Sequence, residues 1–346
     1  MISPPRPAIS VLLPCRDAAP YLDECIASLE SQTEPRFEVL TLDDGSRDDT
    51  PAMLGAWAER DARVRVVPRE GVGIVAALNR LAAAARAPLL ARMDADDVAY
   101  PTRFERQSAL LASRPEIAAC GTGVRYVPPD AAGSGSRRYE RWINGLTSPE
   151  AVDRDLFVEC PIAHPTLMIR RKAFEVEGGY REGPWPEDYE LILRLARRRG
   201  RLTNVPEVLH EWRLGPDRLS LRSRRYSPDA FRSLKVRFLA GGVVPHARPL
   251  VVWGAGRVGK AFARAWLAGG DGRPVDRFID LDPRKIGQVI HDAEVILPRT
   301  FEEGVRGRRP PPYVLIAVGS PGARGEVRDA LGGLGFAEIA DYRAVA

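Results

Sequence analysis

Lysine is scarce in this chain: it supplies four of the 51 basic residues, at Lys172, Lys235, Lys260 and Lys285, and the other 47 are arginine. Arginine is the better phosphate fork, but here it is spread along the whole chain, so the bias reads first as composition. Cysteine is scarce too. Cys15, Cys25, Cys120 and Cys160 are widely spaced and form no CxxC pair, which argues against a zinc site and a disulfide scaffold. They are expected to be reduced thiols in a cytoplasmic protein, with Cys15 a small buried apolar residue. No apolar run approaches the ~18 residues of a membrane-spanning helix. The opening MISPPRPAIS lacks an apolar stretch, so no secretory signal is expected. Glycine and proline, 31 and 30 residues, stay below the level of low-complexity chains. No repeat recurs at solenoid periods.

What is present is an ordinary globular composition, 45% hydrophobic and 28% charged over 346 residues. At roughly 150 residues per domain this length suggests two domains. Strand-like and helix-like segments alternate in the first half. Ile9–Leu13, Phe37–Leu42, Val64–Val67 and Leu89–Met93 read as buried strands. Pro20 starts a helix carrying Leu22, Cys25, Ile26 and Leu29 on one face, and Ile74–Arg86 reads as a second helix. Such alternation predicts an α/β fold, a mostly parallel sheet with helices on both faces. Ligands of such sheets collect at the carboxyl ends of strands, and two acidic clusters, Asp43-Asp44 and Asp94-Ala95-Asp96-Asp97, lie at such ends. Further on, Thr102–Ala112 reads as a helix, Ile117–Tyr126 and Thr166–Ile169 as strands, and Glu187–Arg199 as a helix. Pro128–Arg141, rich in Gly, Ser, Pro and Arg, reads as a mobile loop.

Gly241–Pro249 reads as a linker between a first domain, 1–240, and a second, 250–346. The second opens with a strand, a glycine-rich turn and a helix: Gly254, Gly256 and Gly259 have the spacing of a dinucleotide fingerprint, and Asp280 follows Gly259 by 21 residues. The segment therefore reads as a small Rossmann-like α/β domain with a possible second nucleotide site at these four residues. Gly256→Val is expected to damage its folding. Redox turnover is not expected. After Asp280 the chain offers His291 and Lys285 as its single His and Lys, too little for a substrate site with its own acid and base.

Carboxylates in a strand-end loop suit a hard divalent cation, Mg²⁺ or Mn²⁺. The ordered run Pro14, FEVLTLDDGSRDDT, GVGIVAALN, LLARMDADDVAYPTRF, HPTLMIRR, GGYRE and PEDYELILRL resembles family 2 of the nucleotide-sugar glycosyltransferases, over about residues 8–215. That resemblance implies a GT-A fold and an inverting transfer from a nucleotide-diphosphate sugar, a UDP-sugar first of all, to the hydroxyl of a glycan or lipid-linked glycan. It implies Asp188 as general base with Glu187 as the alternative. It places Asp94 and Asp96 on the cation, Asp96 the firmer of the two, with Asp94 also near the ribose or sugar. Pro14, Asp17, Asp43, Asp44, Asn79 and His164 complete the nucleotide-sugar set. The chain departs from the family at Pro14-Cys15-Arg16-Asp17, where Pro-x-Tyr-Asn is usual; the amide donor of the Asn is missing.

Between Arg194 and Arg237 lie 13 basic and 4 acidic residues, a net +9 in a chain of net +5. Such a window suits an anionic lipid headgroup or a lipid-diphosphate acceptor, and so peripheral contact with the inner face of a membrane. It lacks the aromatic interleaving of a nucleic-acid surface. Three other functions stay open on sequence: a nucleotidyltransferase, for which the first strand lacks a glycine-rich loop; an NAD(P)-dependent oxidoreductase built on the second domain; and a nucleotide-sugar-binding scaffold.

Overall fold

The computed structural model describes all residues except 1–5, 69–72, 199, 216, 217, 219–221, 308, 309 and 321. Gly71 and Val72 of the GVGIVAALN stretch, and Arg199 within the basic window, therefore lie outside the described residues. The chain divides into two compact units. The first is Met1–Asp153, Pro161–Gly183 and Glu187–Arg222; the second is Arg154–Cys160, Pro184–Pro186 and Ser223–Ala346.

The first unit opens with β1 (Ile9–Cys15), α1 (Ala19–Glu30), β2 (Phe37–Asp43), α2 (Thr50–Arg60), β3 (Val64–Val66), α3 (Ile74–Ala84) and β4 (Leu89–Arg92). Prolines at the first helical positions, Pro20 in α1 and Pro51 in α2, fix the entry into each helix. Then follow β5 (Val98–Ala99), α4 (Arg103–Ser113), β6 (Ile117–Val127), α5 (Ser134–Asn144), α6 (Pro149–Arg154), β7 (Met168–Arg170), α7 (Arg171–Val176), α8 (Glu187–Arg197) and β8 (Arg201–Arg213). Among the described residues the strands form one sheet in the order β3-β2-β1-β4-β7-β6-β8-β5. The first four run parallel, as the alternation predicts, and β7 and β5 run against their neighbours. Ile9, Val11 and Leu13 of β1 are buried in one core with Leu22, Cys25, Ile26 and Leu29 of α1, and Phe104 and Leu111 of α4. Burying each large side chain of this kind contributes about 1.5–3 kcal/mol. All four cysteines are buried, and none is in a disulfide.

One sequence reading needs correction here. Pro128–Arg141 is not a loop: a short 3₁₀ turn at Pro129–Ala131 leads into α5. Ile143, with Tyr139 and Trp142 beside it, packs this helix on Val124 and Trp212, and an apolar face at i, i+3 and i+4 outweighs the loop-like composition. The segment read as a linker, Gly241–Pro249, begins in helical structure. α9 (Pro228–Phe238), capped by Ser227 Oγ accepting from the Ala230 N–H at 3.2 Å, runs on into a wide helical turn, Leu239–Val243.

The second unit adds β9 (Leu250–Trp253), α10 (Arg257–Gly269), β10 (Arg277–Ile279), β11 (Val289–Ile290), β12 (Ala293–Ile296), α11 (Pro298–Val305), β13 (Tyr313–Ile316), α12 (Ala323–Gly333) and β14 (Tyr342–Ala344). Its sheet has the order β11-β12-β10-β9-β13-β14, parallel except for β11. Lys235 of α9 is buried, its Nζ donating to Val158 O at 2.7 Å and Val345 O at 3.2 Å.

Candidate active site

The register of the first sheet brings its carboxyl ends together: Cys15 pairs with Asp43, and Leu12 with Arg92. The turn after β2 is built by side chains. Asp43 accepts from the Gly45 and Ser46 N–H groups at 3.1 Å each, with Gly45 at φ +84°. Asp17, itself at φ +48°, accepts from the Arg47 N–H at 2.8 Å and donates its own N–H to Ser46 Oγ at 2.8 Å. Asp44 is buried; its N–H donates to Cys15 O at 2.8 Å, and its carboxylate accepts from the Gly73 N–H at 3.0 Å just before α3. Pro14 lies half-buried in β1 opposite Leu42. Asp17, Asp43 and Asp44 thus weave the loops after β1 and β2 and the start of α3 into one rim.

β4 delivers the second acidic cluster beside that rim. One carboxylate oxygen from each of Asp94, Asp96 and Asp97 lies within 4.8 Å of the others. Burial, then the charges of Asp97 and Asp94, push the Asp96 carboxyl up to about 7. Burial and the charge of Asp94 push Asp97 well above the usual carboxylate range. Hard oxygen donors under this mutual repulsion fit a divalent cation of the Mg²⁺ or Mn²⁺ kind. Arg92 is buried beneath them. Its guanidinium meets Asp94 and the Met93 carbonyl, while its Nε has no hydrogen-bond partner among the described residues. The Cys25 thiol points at Asp94 O, 3.6 Å away, and burial holds the Cys15 thiol up at about 12, so neither is a ready nucleophile.

α8 begins with the other carboxylates. Glu187 is 1% exposed, and Asp188 is half-buried with its Oδ1 accepting the Tyr189 N–H at 2.7 Å. A helix N-terminus favours both negative charges. His164 faces Glu187, Nδ1 to Oε1 at 4.0 Å, and shares a 2.9 Å hydrogen bond between Nε2 and the Tyr180 hydroxyl. Burial, reinforced by the Arg92 charge, holds His164 well below the usual imidazole range. It is therefore neutral at pH 7. Asn79 reaches the same corner. Its Nδ2 donates to Tyr180 O and its Oδ1 accepts the Tyr180 N–H, both at 2.9 Å, so its amide is engaged by protein backbone. The Tyr180 hydroxyl feels the charges of Arg92, Glu187, Asp188 and Asp94 together, which places the two acidic groups in one electrostatic neighbourhood.

Sequence reasoning missed Arg92, Arg103, Tyr180 and His210. The two arginines had a signal: Arg92 interrupts an apolar strand, and Arg103 sits four residues before Gln107 on the helix face that turns inward. The basic window also changes character. Arg194 is buried, its Nε donating to Glu190 at 2.8 Å and its NH2 to Gly179 O at 2.6 Å. Lys235 is buried as described, and Arg198, Arg201, Arg213 and Arg232 are paired with Glu177, Glu150, Glu24 and Asp229. Asp229 is already counted in the window's +9, but Glu190, Glu177, Glu150 and Glu24 lie outside it, and these four partners bring +9 down to +5.

In the second unit the glycines do different jobs. Gly254 has φ +122°, and a Cβ there would lie 2.5 Å from Ala317 O; a Cβ on Gly259 would lie 1.7 Å from Gly254 O. Gly256, which caps α10, has open space around it and an extended φ of −83°. The intolerant positions are thus Gly254 and Gly259 rather than Gly256. Gly259→Ala is expected to destabilise the second unit by about 1–3 kcal/mol, the range for overpacking, with Gly256→Val the milder change; urea unfolding of the full chain measures both. Asp280 is already engaged: Oδ2 accepts the Ala255 N–H at 2.8 Å and Lys285 Nζ at 2.9 Å, and Oδ1 accepts the Asp282 N–H at 2.9 Å.

The family model described as Glycosyl transferase family 2 matches residues 10–178. An uncharacterized glycosyltransferase of Haemophilus influenzae is 28% identical over 214 residues, covering 60% of this chain and 66% of that protein, just under two thirds of its length. The amylovoran biosynthesis glycosyltransferase AmsE of Erwinia amylovora is 29% identical over 202 residues, covering 58% and 73%. The crystal structure of S. aureus TarS 1–349 in complex with UDP-GlcNAc aligns with a TM-score of 0.55 at 15% identity, covering 76% of this chain and 73% of that one. The GT-A-type α/β fold expected from the sequence is the fold of the first unit, and a second six-stranded sheet follows it. Among the described residues no helix is long and apolar enough to cross a membrane.

Proposed function

We propose, from the match of residues 10–178 to the model of glycosyltransferase family 2, that the first unit moves a sugar from a nucleotide-diphosphate donor, a UDP-sugar first of all, to an acceptor hydroxyl, with inversion and with help from Mn²⁺ or Mg²⁺. The observation that carries the reading is that two acidic groups of unlike character are tied together: Arg103 NH2 donates both to Arg92 O, on the strand that carries Asp94 and Asp96, and to Pro165 O, beside the His164 that faces Glu187 at the start of α8.

Asp96 and Asp94 would hold the cation, which when bound neutralises charge on the diphosphate leaving group. Asp44 and the rim of Pro14, Asp17 and Asp43 receive the nucleoside. Arg92, buried and paired with Asp94, adds fixed positive charge where the leaving group departs. Asp188, the more accessible of the α8 pair, takes the proton from the attacking hydroxyl. Glu187, 1% exposed, and His164, which faces it, are too enclosed for that task. One base opposite the leaving group gives single displacement, so the new bond has the opposite anomeric configuration to the donor. The relative named for amylovoran biosynthesis supports a polysaccharide or lipid-linked glycan as acceptor. A lipid-linked acceptor would bring exposed Arg197 of the first unit to an anionic surface, at about 1 kcal/mol. Proton NMR of the first-formed product from an α-linked donor tests the mechanism: a β-linked product is expected, and an α-linked product would exclude a single Asp188-assisted displacement.

A further inference from the structure

Three carboxylates lie close enough to share one cation, yet they are not equivalent. Asp97 is 1% exposed, and both of its oxygens are already committed. Oδ1 accepts the Arg213 backbone N–H at 2.8 Å, and Oδ2 meets His210 Nε2 at 2.8 Å. The other nitrogen of His210, Nδ1, lies 3.3 Å from Arg103 NH1. A guanidinium can only donate, so Nδ1 is the acceptor and the imidazole proton sits on Nε2, donating to Asp97. Burial, reinforced by the Arg103 charge, keeps His210 neutral. Arg103 is itself fully buried and spans the site. Its NH2 donates to Arg92 O at 2.6 Å, on the strand that carries the acidic loop, and to Pro165 O at 2.8 Å, in the turn that carries His164. Arg213 closes the loop from the other side, its Nε donating to Asp96 O at 2.8 Å.

We propose that Asp97 is a positioning residue and not a cation ligand: through His210 and Arg103 it fixes the Asp94–Asp96 loop and ties it to the His164–Thr166 turn. This rests on the cation reading above. The chain Asp97–His210–Arg103 does for the carboxylate loop what an outer hydrogen-bonding shell does in metal sites, where loss of one member weakens metal affinity by roughly 10–100-fold without removing the site. The residues come from positions 97, 103, 165 and 210, and the fold alone brings them together.

The test is a Mn²⁺ titration of the full chain followed by electron paramagnetic resonance, with melting temperature and UDP-dependent binding read on the same samples. Wild type is expected to bind one Mn²⁺ per chain, and Asp96→Asn to bind none at any accessible concentration. Asp97→Asn should still saturate at one Mn²⁺ per chain, with affinity roughly 10–100-fold weaker. His210→Gln, which keeps an N–H for Asp97, should retain more affinity than His210→Ala. Loss of Mn²⁺ binding in Asp97→Asn equal to that in Asp96→Asn would make Asp97 a ligand and overturn the proposal. So would unchanged Mn²⁺ affinity in Asp97→Asn and both His210 variants with only the melting temperature lowered. A wild-type chain that binds no Mn²⁺ overturns the cation reading, and the proposal with it.

Discussion

Asp96→Asn is expected to lower sugar transfer by about three orders of magnitude while leaving the metal-free protein as stable as wild type or more so. The first half follows from charge. A divalent cation is worth several kcal/mol of transition-state stabilisation, and about 1.4 kcal/mol corresponds to tenfold in rate. The second half follows from the state of the carboxyl. Asp96 is held up at about 7 by burial and by Asp97 and Asp94, against an unfolded value near ~3.9. The folded chain therefore holds this proton more tightly than the unfolded chain does. The stability so gained is full below pH ~4 and is lost as pH rises through about 7. At neutral pH and without metal, ionised Asp96 strains the fold, and the uncharged amide removes that strain. Melting curves in EDTA at pH 5, 6, 7 and 8 should show wild type losing stability across this window and Asp96→Asn losing less. A variant that is both inactive and markedly unstable in EDTA would instead mark Asp96 as a structural residue.

Asp188→Asn is expected to cost about 10²–10⁴ in kcat, the range for loss of general-base catalysis, with donor KM nearly unchanged. The proton must leave the acceptor hydroxyl for a carboxylate that the acceptor can reach. Asp188 is half-buried at the mouth of α8, whereas Glu187 is 1% exposed and packed beside neutral His164. Glu187→Gln should lower kcat less than Asp188→Asn and lower the melting temperature more. Initial rates over a range of donor concentrations separate the two effects. If Glu187→Gln costs the hundredfold and Asp188→Asn does not, the base is one residue earlier than proposed.

The frame of this site was legible because its signals are local. Apolar runs such as ISVLL and FEVLTL form strands, and the residues immediately after them lie at the carboxyl ends, so Asp44, Asp94 and Asp96 could be placed before the fold was known. The support beneath them was not legible. Asp97 meets His210 across 113 positions, and Asn79 meets Tyr180 across 101; no periodicity encodes such pairs. Asn79 and Asp43 look alike in sequence as polar residues of a nucleotide motif, but one holds a tyrosine backbone and the other a turn. α5 hid behind its composition, since Ser134, Gly135 and Ser136 suggest a loop while Tyr139, Trp142 and Ile143 decide the structure. The basic window misled in the opposite sense. Charge counted along a chain does not reveal that Arg194 sits against Glu190 in the interior.

The central claim is that the first unit binds a nucleoside diphosphate through a divalent cation at Asp94 and Asp96. Thermal denaturation of the full chain with UDP, GDP, CDP and dTDP, each with Mn²⁺ or with EDTA, tests it directly. One diphosphate at about 100 times its dissociation constant should add about 2.7 kcal/mol of stability in Mn²⁺ and little in EDTA. Stabilisation that is equal in EDTA, or absent with all four diphosphates in Mn²⁺, would contradict it.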